Sequence, residues 1–168
     1  MRSDSLEHVY RRRTARVLVL DVDDRVLLLC YQFSPERRVW LAPGGGVKWW
    51  ESLRKAAARE LREEVGLVVD PVGLGLPVAH AEGYADLGWA KGQFRDDYFA
   101  HRVASHEVNT AAMESLERST YAGHRWWSVD ELQATTDDIV PWGLAGLLAT
   151  LIEGAGEQGR RVRLPWHH

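Results

Sequence analysis

A chain of 168 residues fits one domain, residues 1–168, with room for a substantial core. Its 45% hydrophobic and 27% charged content is that of an ordinary globular domain, and no apolar run approaches the ~20 residues needed to span a bilayer. A net charge of −3 and a pI near 6.2 argue against a general polyanion binder, so neither a stable nucleic-acid partner nor a membrane is expected.

The N-terminal stretch MRSDSLEHVYRRR has basic residues but no apolar segment of the secretory kind. A single cysteine, Cys30, cannot close an internal disulfide; within VLLLCY it reads as a small buried strand residue. Together these predict a cytoplasmic protein.

Residues 1–12 form a polar arm running into Arg11, Arg12 and Arg13, a triplet that is either solvated or a phosphate-facing edge. Two apolar runs follow, Ala15 to Leu20 and Val26 to Tyr31, joined by DVDDR; their β-branched content and polar connection predict a hairpin. Arg16, inside the first run, is either an exposed strand residue or one that reaches a ligand. SPERR, residues 34–38, reads as a loop, and VWLAP as a short strand entering Gly44, Gly45 and Gly46. Three glycines leave no Cβ to block approach by a backbone, an ion or a phosphate.

From Ser52 to Val65 the residues are good or neutral helix formers without internal Gly or Pro, and Gly66 stands where a left-handed cap ends a helix. On that helix Glu60, Glu63 and Glu64, at i, i+3 and i+4, share an arc of roughly 100°. Like charges so placed need a counterion, and a hard divalent cation taking oxygen ligands suits them. Ala57, Ala58, Leu61 and Val65 occupy an adjoining arc that packs inward.

The pattern Gly45, Glu51, Arg59, Glu60, Leu61, Glu63, Glu64, Gly66, Leu67 resembles the signature of the Nudix hydrolases at every fixed position. The resemblance implies an α/β fold, an α/β/α sandwich around a mixed β-sheet. It also implies Mg²⁺, or sometimes Mn²⁺, and hydrolysis of a diphosphate linkage in a nucleoside diphosphate joined to another group, such as a nucleoside triphosphate, dinucleoside polyphosphate or nucleotide sugar. It further assigns Glu60, Glu63, Glu64 and a carbonyl near Gly45 to the metal, and Arg59 with Glu51 to a brace that fixes where the ligands point. The general base would be a glutamate, Glu63 by preference, or an acid from outside the motif. Many relatives carry Glu-x-Gly directly before the glutamate at 51, where this chain has Lys48, Trp49 and Trp50. Either Lys48 contacts phosphate and a tryptophan such as Trp49 stacks on the substrate, or the pair packs within the fold or at a homodimer contact. This altered turn is what favours an alternative function, a nucleotide-binding module with little or no catalysis.

Beyond the motif, Val68 to Ala79 reads as an irregular strand and His80 to Gln93 as a glycine-punctuated loop of the substrate-selecting kind. Tyr84 stands at a spacing similar to that of Nudix enzymes acting on dinucleoside polyphosphates. Phe94 to Ala104 predicts a central strand on which Asp96 and Asp97 point to opposite faces; Asp97 is the one assigned to the cleft. LERSTYAGHRWW resembles a pattern in actinobacterial members, and Glu117 is the further acid it suggests. HRWWSV reads as a short strand, with Ser128 or Asp130 capping the next helix. Pro141 suits the first turn of a helix through Ile152, and residues 154–168 read as a loose tail with solvated Arg160, Arg161 and Arg163.

Overall fold

The computed structural model describes residues 10–154 and 160–168. Most of the arm 1–12 and the first part of the tail, 155–159, lie outside the described residues. The strands are β1 (Arg12–Leu20), β2 (Val26–Ser34), β3 (Arg37–Leu41), β4 (Gly44–Gly46), β5 (Ala79–Asp86), β6 (Lys91–Arg102), β7 (Tyr121–Trp127), β8 (Asp138–Val140) and β9 (Val162–Arg163). They join one mixed sheet in the order β8-β3-β2-β1-β6-β5-β9, with β4 pairing on β1 and β7 on β2. The helices are α1 (Leu53–Val65), α2 (Ser115–Arg118), α3 (Val129–Ala134) and α4 (Leu144–Glu153). No described helix is long and apolar enough to cross a membrane.

Alternation along β1 builds the sandwich. Ala15, Val17 and Val19 face α1 and meet Ala57, Leu61 and Val65, whereas Leu18 and Leu20 face the opposite layer with Leu144, Leu147 and Leu148 of α4. Cys30 is fully buried in that second layer, as its apolar neighbours predict. Trp126 and Trp127 divide between the layers, Trp127 meeting Trp40 edge-on at 5.1 Å.

Local signals at the helix ends are expressed. The Ser52 side chain accepts from the Lys55 N–H, and Gly66 closes α1 at φ 71° with its N–H on the Arg62 carbonyl. Ser128 and Glu131 cap α3 reciprocally.

Other expectations are corrected. Residues 80–93 are largely not a loop: β5 pairs antiparallel with β6 from Ala79↔Tyr98 to Asp86↔Lys91. The strand character of β5, built on small alanines and Gly83, comes from pairing and not from propensity. Between α1 and β5 the chain makes a 3₁₀ turn at Pro71–Leu74, with Asp70 capping Val72, where a strand was expected. Pro141 precedes α4, which starts at Leu144 after Gly143 at φ 84°. The tail is docked: β9 pairs with β5, Leu164 is buried in the α4-side core, and Arg161 lies 3.4 Å from Asp97.

Candidate active site

Helix α1 carries its carboxylates to the glycine run through packing of its alanine face, and the glycines let the two elements touch. A Cβ on Gly45 would lie 2.6 Å from Glu60 Oε1, inside any real contact distance. The Gly44 N–H donates to Glu64 Oε2 at 2.7 Å, while β4 is pinned to β1 by Ala15↔Gly45 and Arg16↔Gly44.

Arg59 sits at the centre of the brace. Its Nη2 and Nε donate to the two oxygens of Glu51 at 2.7 and 3.2 Å. Its Nη1 reaches Glu60 at 2.9 Å and Glu63 at 3.2 Å, and Nη2 also meets the Gly46 carbonyl at 3.0 Å. Hydrogen bonding from Arg59 holds the Glu51 carboxyl below its ordinary pKa, against a smaller opposing effect of burial. Lys48, Trp49 and Trp50 leave this brace in place, because the Lys48 N–H donates to Glu51 Oε1 at 2.9 Å.

Glu60, Glu64 and Glu117 offer oxygens that all lie within 4.8 Å of one another. Glu117 arrives on α2, which is held by Arg118 Nη2 donating to the carbonyls of Ala111 at 2.8 Å and Met113 at 3.1 Å. The trio suits a hard divalent cation. Burial, then the charges of Glu117 and Glu60, push the Glu64 carboxyl well above its ordinary value; burial first also raises Glu60 and Glu117. Acids held this close gain from a cation placed between them.

Glu63 does not join the trio; its Oε2 is taken up by Arg59. Asp97 is turned to the α1 side of the sheet, away from the cleft, and fully buried among Arg13 at 2.9 Å, Arg95 at 3.2 Å and Arg161 at 3.4 Å. Its neighbour Asp96 takes the cleft instead. Parity along β6 was legible, but which of the two faces the cavity is decided by the parallel register Thr14↔Asp96 with β1.

Two cavities adjoin here. One of about 370 Å³ is lined by Gly44, Tyr31, Glu64 and Glu117; the other, of about 540 Å³, is lined by Arg12, Thr14, Asp96 and a set of aromatic side chains. Arg16, Phe33 and Leu41 belong to both walls. Arg16 is fixed by its Nη1 on the Ala42 carbonyl at 2.9 Å; burial opposes its charge, but Asp96, Tyr98 and Glu64 raise its pKa above the ordinary value. Of the residues named from the sequence, Arg16, Glu64 and Glu117 line the smaller cavity, and Glu60 adjoins Glu64 and Glu117. Lys48, Trp49 and Tyr84 lie elsewhere: Lys48 over the Trp50 ring at 5.5 Å, Trp49 90% exposed, and Tyr84 exposed on β5, outside both cavity walls.

A family model described as the NUDIX domain matches residues 10–145. The chain belongs to the Nudix family. Over 51 residues this Nudix chain is 47% identical to the uncharacterized Nudix hydrolase YvcI of Bacillus subtilis (strain 168), a match covering 30% of each protein. Among solved structures it is similar to the MutT NUDIX hydrolase from Burkholderia pseudomallei, with a TM-score of 0.60 and 20% identity over 81% of this chain and 95% of that one. The E. coli dihydroneopterin triphosphate pyrophosphohydrolase gives a TM-score of 0.61 and 18% identity over 87% and 99%. These likenesses establish a Nudix-type mixed α/β sandwich.

The residues that sequence reasoning passed over are Thr14 and the cavity-lining aromatics Phe33, Trp89, Trp142 and Trp166, while Asp96 was named but ranked behind Asp97. Single aromatics in loops and at strand ends carry no periodic signal, and only the tertiary fold collects them.

Proposed function

We propose that this protein is a pyrophosphohydrolase acting on a nucleoside diphosphate linked to another group, with Mg²⁺ held by Glu60, Glu64 and Glu117 together with substrate oxygens and water. The observation that carries the reading is the convergence of those three carboxylates, two of which line the smaller cavity that shares Arg16, Phe33 and Leu41 with the aromatic-lined one. A divalent ion bound there would neutralise the diphosphate oxygens and lower the pKa of water.

The chain's own groups then divide the work. Gly45 lets the Glu60 carboxylate lie against the backbone and Gly44 lets β4 lie against Arg16 of β1, so the glycine run sets where the carboxylates stand. Arg16 supplies positive charge between the two cavities, where the linkage would lie, and Arg12 adds to it from the wall of the larger one. Arg59 keeps Glu60 and the Gly46 carbonyl in place while itself held by Glu51. Glu63 stands outside the trio, so the base role goes in this reading to Glu117, which stands on a separate element and has a second carboxylate oxygen to take up a proton while the first would hold the metal. A module that binds without cleaving loses its main support, since the turn containing Lys48, Trp49 and Trp50 leaves the brace formed.

A hydrolysis screen in Mg²⁺ across nucleoside triphosphates, dinucleoside polyphosphates, nucleotide sugars, ADP-ribose and prenyl diphosphates tests the proposal. Turnover of at least one nucleoside-containing diphosphate is expected. Tight nucleotide binding without turnover of any of these compounds would favour the binding-only module.

A further inference from the structure

The larger cavity has one wall that neither the motif nor the core strands supply. After β9 the chain crosses β5 and buries Leu164, then brings Trp166, His167 and His168 to the cavity. The placement is specific. Trp166 Nε1 donates to the Tyr84 carbonyl at 2.9 Å, and its indole lies so close to Gly83 that a Cβ there would stand 2.4 Å from Cδ1. Its ring is 4.7 Å from that of His167.

His167 in turn meets the cavity floor. Asp96 Oδ1 accepts from Thr14 Oγ1 at 2.5 Å, and His167 Nε2 stands 3.4 Å from the other oxygen. The carboxylate thus has a hydroxyl bonded to one oxygen and an imidazole nitrogen beside the other. The His167 side chain is only 6% exposed, and burial pushes the ring's pKa below its ordinary value, which favours the neutral imidazole beside Asp96. A carboxylate has more lone pairs than these two neighbours face, so Asp96 has acceptor sites to spare.

Resting on the pyrophosphohydrolase reading, we propose that the segment Val162–His168 is the substrate-selecting wall of this site, with Trp166 contacting a planar nucleobase and His167 a positioning residue that holds Asp96 to accept from the base's N–H groups. Three features bear on the choice of group. A volume of about 540 Å³ suits a nucleoside-sized body rather than a bare phosphate. Trp89, Trp142 and Trp166 line the cavity, and indole rings favour a planar partner. Asp96 and Asp138 repel phosphate, so the diphosphate is directed toward Arg12, Arg16 and the cation that the three glutamates would hold, while the base enters beside the tail.

Binding of AMP, GMP, CMP and UMP, each against ribose 5-phosphate as the base-free control, tests the wall by calorimetry without requiring turnover. Wild type is expected to prefer at least one nucleotide by about tenfold or more, the scale of one or two good buried contacts. Trp166→Ala and His167→Leu each reduce that preference by about tenfold, and His167→Gln, which keeps a donor, restores most of it. With an accepted nucleoside triphosphate the loss falls on KM, with kcat changing by less than about twofold. Asp96→Asn reads the same claim without touching the segment, should a tail variant fail to fold, and lowers the preference likewise. Ribose 5-phosphate bound as tightly as every nucleotide, or an undiminished preference in folded His167→Leu or in Asp96→Asn, overturns the inference. If the preference behaves as expected and nothing is hydrolysed, the wall stands and the catalytic reading falls; hydrolysis with an unmoved preference gives the converse.

Discussion

Arg59 and Glu51 meet through two hydrogen bonds of 2.7 and 3.2 Å, and the same guanidinium extends to Glu60 at 2.9 Å. The loop before α1 is thereby tied to a carboxylate of the proposed metal trio. Substitution Arg59→Lys keeps a charge but loses the planar fork that spans these partners. Metal affinity should fall by about 10–100-fold, the usual scale for a residue that orients a ligand. Mn²⁺ titration calorimetry checks this, and an affinity equal to wild type would remove the brace from the account.

Gly45 makes a sharper local test. With a Cβ 2.6 Å from Glu60 Oε1, Gly45→Ala must displace that carboxylate or the strand beneath it. Catalysis should drop by at least about tenfold while the fold persists, because the clash is confined to one contact costing about 1–3 kcal/mol. Steady-state hydrolysis beside a thermal melt separates the two effects.

Metal-free protein should lose stability as pH rises. Glu64 has a folded-state pKa raised first by burial and then by Glu117 and Glu60. A raised acid binds its proton more tightly folded than unfolded, so its contribution is complete below the unfolded value of about 4.3 and disappears as pH climbs through the folded value. Calorimetric melting in chelator should give a lower Tm at pH 8 than at pH 5, with the slope reduced in Glu64→Gln. At pH 8, Mg²⁺ at a hundredfold excess over its dissociation constant contributes about 2.7 kcal/mol, roughly 5–10 °C for a domain of this size. An unchanged Tm with Mg²⁺ would count against the trio as its site.

Glu63 and Glu117 carry different expectations. If Glu117 is the base, Glu117→Gln lowers kcat by about 10²–10⁴-fold. Glu63→Gln, which removes one arm of the Arg59 cluster, acts more weakly, by about tenfold, and mainly through Mg²⁺ dependence. The reverse ranking in parallel assays would return the base role to Glu63.

How much of this was readable before folding follows from the kind of signal involved. Helix α1 and its acidic arc are written in short-range spacing, as is the stop at Gly66, so they were legible together. The hairpin of β5 and β6 was not, because Ala79, Ala81 and Ala85 are poor strand formers and take their conformation from the ladder with β6. The choice between Asp96 and Asp97 required the register of β6 on β1, which no local pattern encodes. The tail is a similar case. Leu164 and Trp166 gain meaning only once β9 lies along β5 and aims them at the core and the cavity.

The central claim, that Glu60, Glu64 and Glu117 act together on a diphosphate, is tested most directly by the Mg²⁺-dependent turnover of wild type and Glu64→Gln on one accepted nucleoside diphosphate derivative, with melts recorded on both. Loss of at least about 100-fold in kcat with a folded variant is the predicted result. Equal turnover by folded Glu64→Gln would contradict the account.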